Sequence, residues 1–418
     1  MPQPTSGTSR PRIAIYSHDT MGLGHVRRNL LIATALASGE LAADVLLVSG
    51  ACEAQSFRLP SGVDLLTLPA VEKTAAGVYE ARRLHTGFEE LVELRSRIIE
   101  SAFKGFAPDL LLVDNVPQGV GGELEPGVRY LRRNGARLVL GLRDITDAPE
   151  AVRREWDREQ TAEFIRNFYE CIWIYGDPAI YDRIVEDGMS ADLADRSRFV
   201  GYLDQRLSVD EPSGLEAEQI SRVAASGRPL VLCLIGGGQD GDLLASAFAE
   251  VPFAPGHTGV IVAGPFLDSG ARRRLTQRAA GREDLFVIDF LADPRPLVAR
   301  AERVVAMGGY NTIGEILSFE KPALIVPRVR PRREQSLRAE RLRELGLLDE
   351  CISPDDLSPA TLRRWVERPL VERCLRERID LGALSRLSGL AAGLLASRPS
   401  RPMALSGRDS PRERGAVR

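Results

Sequence analysis

The sequence predicts a two-domain α/β protein in which two doubly wound, Rossmann-like sheets face each other across a cleft. Its length of 418 residues exceeds one ordinary core and suits two domains of roughly 180 residues each. Short apolar runs alternate with helical patterns along the chain, which is typical of parallel sheets. A glycine-containing turn follows the first predicted strand of each half, at 22–25 and 236–241. Together these observations predict two similar halves.

The first predicted domain spans residues 12–208, after an N-terminal stretch at 1–11 that we expect to be disordered. A buried strand at 13–17 leads through a turn into a helix at 26–37, whose apolar residues recur at helical spacing. Further strands are predicted at 44–48, 63–68, 110–114, 138–142, 172–175 and 199–203. Residues 70–85 have no clean period, so we expect a mobile loop beside the cleft.

The second predicted domain spans residues 209–380, and the polar stretch at 204–227 is the expected linker. Its strands are predicted at 229–235, 260–263, 285–288, 304–307 and 324–326. One or two helices are expected within 361–379, and a final helix at 381–397. Residues 398–418 are rich in Pro, Ser and Arg and are expected to be disordered.

Composition limits the function classes. Apolar residues make up 44% and charged residues 27%, as in a soluble globular protein. A net charge of -3 gives no reason to expect nucleic acid as a partner. Five scattered cysteines indicate reduced, buried thiols of a cytoplasmic protein, and four distant histidines predict no metal site. No apolar run approaches the ~18 residues of a spanning helix, so any membrane contact is expected to be peripheral.

Residues 304–344 are the most informative stretch and are predicted to form strand, turn, helix, strand and helix. Gly308 and Gly309 allow the turn, and Asn311 or Thr312 can cap the helix that follows. Such a helix directs unpaired N–H groups beyond the strand, where an anion can bind. The alternative is that Thr312 and Glu315 form only a capping box.

A polar cluster at 328–335 follows the next strand, at the sheet edge where α/β proteins bind ligands. With this cluster, the stretch resembles the donor domain of family 28 glycosyltransferases, the group that contains the bacterial GlcNAc transferase making lipid II. The resemblance implies the GT-B fold, with the last helix crossing back to the first domain. It also implies a nucleotide-diphosphate sugar, most simply of the UDP type, as co-substrate, and no cofactor.

The resemblance assigns donor-binding roles by position. The diphosphate would lie on Gly308, Gly309 and the helix start at Asn311 and Thr312, the ribose on Glu315, and the sugar on Gln335 and its neighbour Glu334. Arg332 and Arg333 could neutralise the diphosphate, or they could belong to a solvated charged face.

The glycine turn at 236–241 is a second candidate for phosphate binding. Consecutive glycines before a helix can present several N–H groups to an anion, and similar enzymes have Gly-Gly-x-Gln-Gly here. We expect Gly237, Gly238 and Gln239 to face the donor, with Asp240 turned away. Phe290 lies where such enzymes bind the nucleotide base, although plain core packing explains it equally well.

The first glycine turn supplies the candidate base. Because Gly22, Gly24 and His25 directly follow the first strand, His25 is expected at the carboxyl edge of the sheet, facing the cleft. An imidazole can accept a hydroxyl proton at neutral pH; the alternative is a histidine that only hydrogen-bonds its own turn. Family 28 enzymes have a similar turn ending in His, where it serves the acceptor or the catalytic step.

Four further residues end two strands of the first sheet and are predicted to look into the cleft. They are Asp114, Asn115, Arg143 and Asp144. Together with Gly22 and Gly24 they are candidates for acceptor contacts, and Asp144 could assist His25.

These observations predict an inverting, metal-independent hexosyltransferase of the cytoplasm and cell envelope, with His25 as its base and a glycan, lipid-linked or small-molecule hydroxyl as acceptor. A nucleotide-sugar hydrolase is the nearest alternative, since Gly22 to Arg28 also fits the Gly-x-Gly-His-Val-x-Arg signature of such enzymes. A 2-epimerase and a non-catalytic nucleotide-sugar sensor are the remaining alternatives.

Overall fold

The first half of the chain folds around a seven-stranded parallel sheet. The structure, a computed structural model, describes residues 10–18, 24–73, 78–207, 214–253, 256–371 and 374–397. The strands of this half are β1 (Arg12–Ser17), β2 (Asp44–Ser49), β3 (Val63–Thr67), β4 (Val71–Lys73), β5 (Tyr79–Ala81), β6 (Leu110–Asp114), β7 (Arg137–Arg143), β8 (Cys171–Tyr175) and β9 (Ser197–Phe199). The sheet order is β3-β2-β1-β6-β7-β8-β9, and β4 and β5 form a separate antiparallel hairpin.

Helices cover both faces of this sheet. They are α1 (Gly24–Ser38), α2 (Phe88–Phe106), α3 (Glu125–Arg133), α4 (Pro149–Arg158), α5 (Thr161–Phe168), α6 (Arg183–Glu186) and α7 (Ala191–Arg196). All five residues of β6 are buried, because a parallel sheet covered on both faces buries both sides of its central strands. One core lies on each side of the sheet, and the core that contains α1 continues into the second half.

The second half repeats the plan with a six-stranded parallel sheet. Its strands are β10 (Leu230–Leu234), β11 (Thr258–Val262), β12 (Leu285–Ile288), β13 (Ala301–Ala306), β14 (Ala323–Ile325) and β15 (Glu350–Cys351), in the order β12-β11-β10-β13-β14-β15. Its helices are α8 (Gly214–Ala224), α9 (Asp242–Ala249), α10 (Ser269–Ala280), α11 (Arg295–Arg300), α12 (Tyr310–Ser318), α13 (Glu334–Glu344), α14 (Pro359–Val366) and α15 (Ala383–Ala396).

Both sheets reverse their strand order at one point, and this places the site. The reversal lies between β1 and β6 in the first sheet and between β10 and β13 in the second. Ligands of doubly wound sheets bind at such points, beyond the carboxyl ends of the strands. The helix α1 begins at the first reversal and α12 at the second, and the two helices contact each other.

The last helix returns to the first sheet domain, as predicted. Helix α15 packs against α1, with Ala383, Leu384, Leu387 and Ala391 buried. The Ser388 hydroxyl donates to the carbonyl of Ala35 at 3.1 Å. No helix in the described ranges is long and apolar enough to cross a membrane.

Several predicted elements are wrong in detail. The strand expected at 199–203 is β9, which ends at Phe199, while the expected loop at 70–85 contains the β4–β5 hairpin. The expected linker contains α8, and within 361–379 helix ends at Val366 in the described part. Apolar content alone did not predict the two-residue strand β15. Of the five free cysteines only Cys233 is buried, and Cys374 is exposed.

Candidate functional site

The start of α12 presents main-chain N–H groups to a cavity between the two sheets. Gly308 has φ of +87°, and an added Cβ would lie 2.8 Å from the side chain of Ile325, so glycine is required there. Gly309 is the residue before the helix, and no side chain caps it. The first intrahelical bond runs from Ile313 N–H to Gly309 C=O at 2.9 Å. The preceding N–H groups, from Tyr310 to Thr312, are therefore available to a ligand.

The predicted capping roles of Asn311 and Thr312 are therefore wrong, and so is the capping-box alternative for Glu315. The helix begins earlier than the polar residues suggested, because the extended backbone of Gly309 ends the turn. Both Asn311 and Thr312 instead line the cavity, whose volume is about 300 Å³. The Asn311 side-chain amide donates to the carbonyl of Gly24 at 2.7 Å and so joins the starts of α12 and α1.

Glu315 lies in the middle of α12, fully buried against the same cavity. One carboxylate oxygen is ion-paired with Arg27 of α1 across the cleft, and the other has no hydrogen-bond partner within the described part. Burial raises the pKa of Glu315, although Arg27 opposes this shift. A desolvated carboxylate with an unused oxygen can accept hydrogen bonds from hydroxyl groups of a ligand.

The second glycine turn forms another wall of this cavity, which is the smaller of two cavities in the cleft. The three residues expected to face the donor, Gly237, Gly238 and Gln239, all line it. Gly238 has φ of +94°, and an added Cβ would lie 2.5 Å from the carbonyl of Ala263. The expectation that Asp240 turns away is wrong, because Asp240 lines the cavity as well; its carboxylate ion-pairs with Arg328 at 3.1 Å, which reduces its repulsion of an anion. Phe290 lines the cavity and is only half-buried, whereas its neighbour Leu291 belongs to the core.

The polar cluster after β14 divides between two places. Gln335 and Glu334, which are expected to contact the sugar, line the smaller cavity, and both accept hydrogen bonds from Arg328, at 3.0 and 2.6 Å. Arg332 does not line that cavity and is ion-paired with Glu155 of α4 at 3.0 Å. The expectation that Arg332 neutralises a bound diphosphate is therefore wrong. Arg328, a member of the cluster to which the sequence analysis gave no role, lies there instead.

His25, in the first turn of α1, is oriented by a buried carboxylate. Its Nδ1 lies 2.7 Å from Oδ2 of Asp114, the last residue of β6. Asp114 also accepts hydrogen bonds from Arg28 at 2.6 Å and from Asn29 at 3.0 Å. Burial alone would raise the pKa of Asp114, but Arg28 and His25 together lower it well below its ordinary value. Asp114 is 1% exposed, so its predicted role as an acceptor contact is wrong.

The charge of Asp114 decides which nitrogen of His25 carries the proton. An ionised carboxylate can only accept, and the Arg28 guanidinium, 2.8 Å from the same Nδ1, can only donate. We assign the proton to Nδ1, which then donates to Asp114 and leaves Nε2 unprotonated, while Arg28 donates to the two oxygens of Asp114 and not to Nδ1. His25 is 18% exposed and lines both cavities of the cleft. Its free nitrogen is therefore suited to accept a proton from a ligand.

Tyr310 connects this pair to the start of α12. Its ring is buried, and the guanidinium of Arg28 lies 5.5 Å from the ring centroid. Its hydroxyl donates to the carbonyl of Tyr175 in the first sheet at 3.2 Å. The first residue of α12 is thus packed against the arginine that pairs with Asp114.

Asp144, the other acidic candidate, is engaged elsewhere. It is fully buried, and its carboxylate accepts hydrogen bonds from Arg338 of α13 at 2.7 Å and from the Tyr202 hydroxyl at 2.7 Å. Arg338 is also fully buried. Asp144 therefore neither contacts an acceptor nor assists His25, and both expectations for it are wrong. It instead joins the two sheet domains.

A larger cavity of about 1160 Å³ opens on the other side of His25. Asn115 and Arg143 line it, and their acceptor contacts stay predictions, whereas Gly24 lines only the smaller cavity. Gly22, the other predicted acceptor residue, lies outside the described residues. Three aromatic side chains, Tyr79, Phe88 and Trp156, also line the larger cavity. The two cavities share His25, Arg143, Gln239, Asp240, Arg328 and Glu334.

The fold matches those of solved nucleotide-sugar enzymes. The calicheamicin glycosyltransferase CalG4 is 16% identical, with a TM-score of 0.58 over 93% of this chain and 99% of that one. A UGT transferase from Siraitia grosvenorii in complex with UDP is 14% identical, with a TM-score of 0.56 over 92% and 94%. A UDP-N-acetylglucosamine 2-epimerase is 12% identical, with a TM-score of 0.58 over 95% and 99%.

The chain has the GT-B fold. Two doubly wound sheets, a cleft between their carboxyl edges and a returning last helix agree with these similarities. No protein-family model matches the chain, and no curated protein sequence is significantly similar to it. The narrower assignment to family 28 stays a prediction. In the part of the chain that the structure describes, no group of three or more His, Cys, Asp or Glu residues could hold a metal ion.

Proposed function

We propose that the protein is a glycosyltransferase that moves a sugar from a nucleotide-diphosphate sugar to a hydroxyl acceptor. One observation carries the proposal: His25, oriented by Asp114, stands where a small cavity with exposed main-chain N–H groups meets a larger, partly aromatic cavity. The first cavity suits a charged donor and the second suits an acceptor. A base between them can serve a reaction that joins the two.

The donor would occupy the smaller cavity. Its diphosphate would accept hydrogen bonds from the N–H groups at the start of α12 and from the turn at Gly237 and Gly238. The free oxygen of Glu315 would accept from the ribose hydroxyls, and Phe290 would contact the base. Glu334 and Gln335 would lie beside the sugar. The UDP named for several structures with this fold makes UDP sugars the first donors to test.

The reaction follows from this placement. Nε2 of His25 would take the proton of the acceptor hydroxyl as its oxygen attacks the anomeric carbon from the larger cavity. The bond from that carbon to the diphosphate breaks on the opposite side, which inverts the configuration. Negative charge grows on the departing diphosphate, and the N-terminus of α12 stabilises it in the transition state. Because main-chain dipoles supply this stabilisation, we propose that turnover needs no metal ion and persists in EDTA.

The direct test is to incubate the purified protein with UDP, dTDP and GDP sugars and mixed hydroxyl acceptors. Binding of the correct nucleotide should raise the melting temperature by mass action. His25→Ala should lower kcat by about 10²- to 10⁴-fold, the usual contribution of a general base, and leave nucleotide binding intact. His85→Ala, at an exposed position of the same domain, is the matched control. Unchanged turnover in His25→Ala would argue for a nucleotide-sugar sensor or for another base.

A nucleotide-sugar hydrolase is the second candidate, because a water molecule could replace the acceptor beside His25. The size and aromatic lining of the larger cavity favour transfer, since neither hydrolysis nor 2-epimerisation needs a second organic substrate. Incubation without any acceptor separates the three activities. Fast, stoichiometric release of free sugar would support hydrolysis, and a change of configuration at C2 of the bound sugar would support epimerisation.

A further inference from the structure

Six arginines line the two cavities, and one of them differs from the rest. Five form ion pairs: Arg27 with Glu315, Arg28 with Asp114, Arg183 with Asp187, Arg328 with Glu334 and Arg332 with Glu155. Arg143, at the end of β7, has no side-chain hydrogen bond or ion pair with any described residue. Arg143 and Arg328 are the two arginines that line both cavities, and Arg328 is paired with carboxylates.

The surroundings of Arg143 make this lack of a partner costly. Burial, together with the positive charges of Arg28 and Arg338, lowers the pKa of Arg143 to about 10. The carboxylates that attract it, Glu334 and Asp114, are already paired with Arg328 and Arg28. Its Nε is buried and has no hydrogen-bond acceptor. A half-buried guanidinium near two other cations is an environment that an added anion would relieve.

We propose that the acceptor carries an anionic group, a phosphate or a carboxylate, that pairs with Arg143 close to the hydroxyl under attack. This inference rests on the proposed function and names the chemical class of the acceptor. A guanidinium binds either group through two parallel hydrogen bonds. His25 and Arg143 line the same two cavities, so one acceptor can reach both side chains.

The position of Arg143 favours the acceptor over the donor as the source of the anion. In the proposed function the donor's diphosphate already accepts hydrogen bonds from main-chain N–H groups of the second sheet domain. Arg143, in contrast, ends a strand of the first sheet domain. The aromatic side chains of the larger cavity leave room for an apolar portion.

The test uses inorganic phosphate as the probe and UDP to fill the donor site. Phosphate is titrated by calorimetry into the full-length protein saturated with UDP. We expect one phosphate to bind, and Arg143→Gln to weaken it by at least about tenfold, as for the loss of a charged hydrogen bond. Arg143→Lys should retain part of the affinity, because lysine keeps the positive charge but cannot form the two parallel hydrogen bonds of a guanidinium. Arg133→Gln, at an exposed position on α3, should bind as the native protein does.

Three results would overturn the inference. They are no phosphate binding at millimolar concentration, binding that Arg143→Gln leaves unchanged, and binding that UDP abolishes while Arg143→Gln weakens UDP itself. The last result would assign Arg143 to the donor's diphosphate. If none of UDP, dTDP and GDP binds, the proposed function fails, and titration of phosphate alone still tests the site at Arg143. Because Arg143 has no hydrogen-bond or ion-pair partner among the described residues, Arg143→Gln should fold as the native protein does, which circular dichroism checks.

Discussion

His25 and Asp114 show how strand order selects a partner at the scale of single residues. Asp114 is the last residue of β6 and Asp144 follows β7, and on the sequence alone Asp144 is the residue that could assist His25. In the sheet β6 lies next to β1, and Asp114 is in register with Ser17, one residue before His18 and the turn that leads to His25. Asp144 follows β7, one strand further away. Adjacency in the sheet therefore makes Asp114 the partner of His25.

Replacing Asp114 should affect both turnover and acid stability. Asp114→Asn would leave Arg28 buried without a charged partner, at a cost of about 3 to 5 kcal/mol at pH 7. Because folding lowers the pKa of Asp114, its contribution is present above the ordinary value of ~3.9 and is lost as the pH falls further. The stability difference between the two proteins should therefore shrink below about pH 4, as urea unfolding at pH 7 and pH 3 would show.

The same variant should lose at least about 10²-fold in kcat, because His25 loses the acceptor that selects its tautomer. Asp195→Asn, at an exposed position, is the control for both measurements. If Asp114→Asn keeps full turnover at temperatures at which it is folded, Asp114 has no role in the mechanism.

Glu315 permits a test that separates ligand binding from stability. Glu315→Gln should weaken UDP binding by about 1.5 to 3 kcal/mol, the value of a charge-assisted hydrogen bond. Folding raises the pKa of this carboxyl, so its ionised form costs stability once the pH exceeds its ordinary value. The melting temperature at pH 7 should therefore stay level or rise. Calorimetry measures UDP affinity and thermal unfolding measures the melting temperature, for Glu315→Gln and for the exposed control Glu340→Gln. A lower melting temperature with unchanged UDP affinity would show that Glu315 has only a structural role.

At the scale of elements, the two glycine turns of the second sheet domain are built by different constraints. Gly308 and Gly238 have positive φ and close neighbours. Gly309, in contrast, has an extended backbone conformation at the end of its turn. No heavy atom of the described residues lies within 4 Å of a Cβ added to Gly309. The sequence identified both turns because glycine clusters after apolar runs are local signals. It misplaced the start of α12, because Asn311 and Thr312 are frequent capping residues that here contact the cleft instead.

The turn at 236–241 contains a matched pair of positions for measuring this constraint. In Gly238→Ala the new methyl group would lie 2.5 Å from the carbonyl of Ala263, in addition to the cost of positive φ. Gly236 also has positive φ, +61°, but no heavy atom lies within 4 Å of an added Cβ. We expect Gly236→Ala to cost about 1 to 2 kcal/mol and Gly238→Ala clearly more. Urea unfolding measures both, and equal losses would show that the turn moves to accept the methyl group.

At the scale of the whole molecule, buried contacts between the two sheet domains define the cleft. The Arg338–Asp144 pair is fully buried, Tyr310 packs between Arg28 and Arg338, and Asn311 bonds to Gly24. These contacts bring the start of α12 to the base His25. These polar contacts add to the apolar core that continues from the first half into the second.

Removal of one such contact should lower the stability of the protein and loosen the coupling between its two domains. Arg338→Ala leaves Asp144 buried with only Tyr202 and main-chain donors, at an expected cost of about 3 to 5 kcal/mol. Arg341→Ala, on the same helix, removes an exposed pair with Glu186 and should cost less than about 1 kcal/mol. Differential scanning calorimetry should also show the two domains of Arg338→Ala unfolding separately. Equal stability of the two variants would mean that the buried pair does not couple the domains.

The sequence by itself determined the two parallel sheets, their order along the chain, the glycine turns and the position of His25 after the first strand. These features depend on spacing within roughly ten to twenty residues, where periodicity and turn residues act locally. Only the tertiary structure decided that Asp114 orients His25, that Arg332 pairs with Glu155 and that Arg143 has no partner among the described residues. Such pairings depend on strand order and on how two domains meet, and both bring together residues that are distant in the chain.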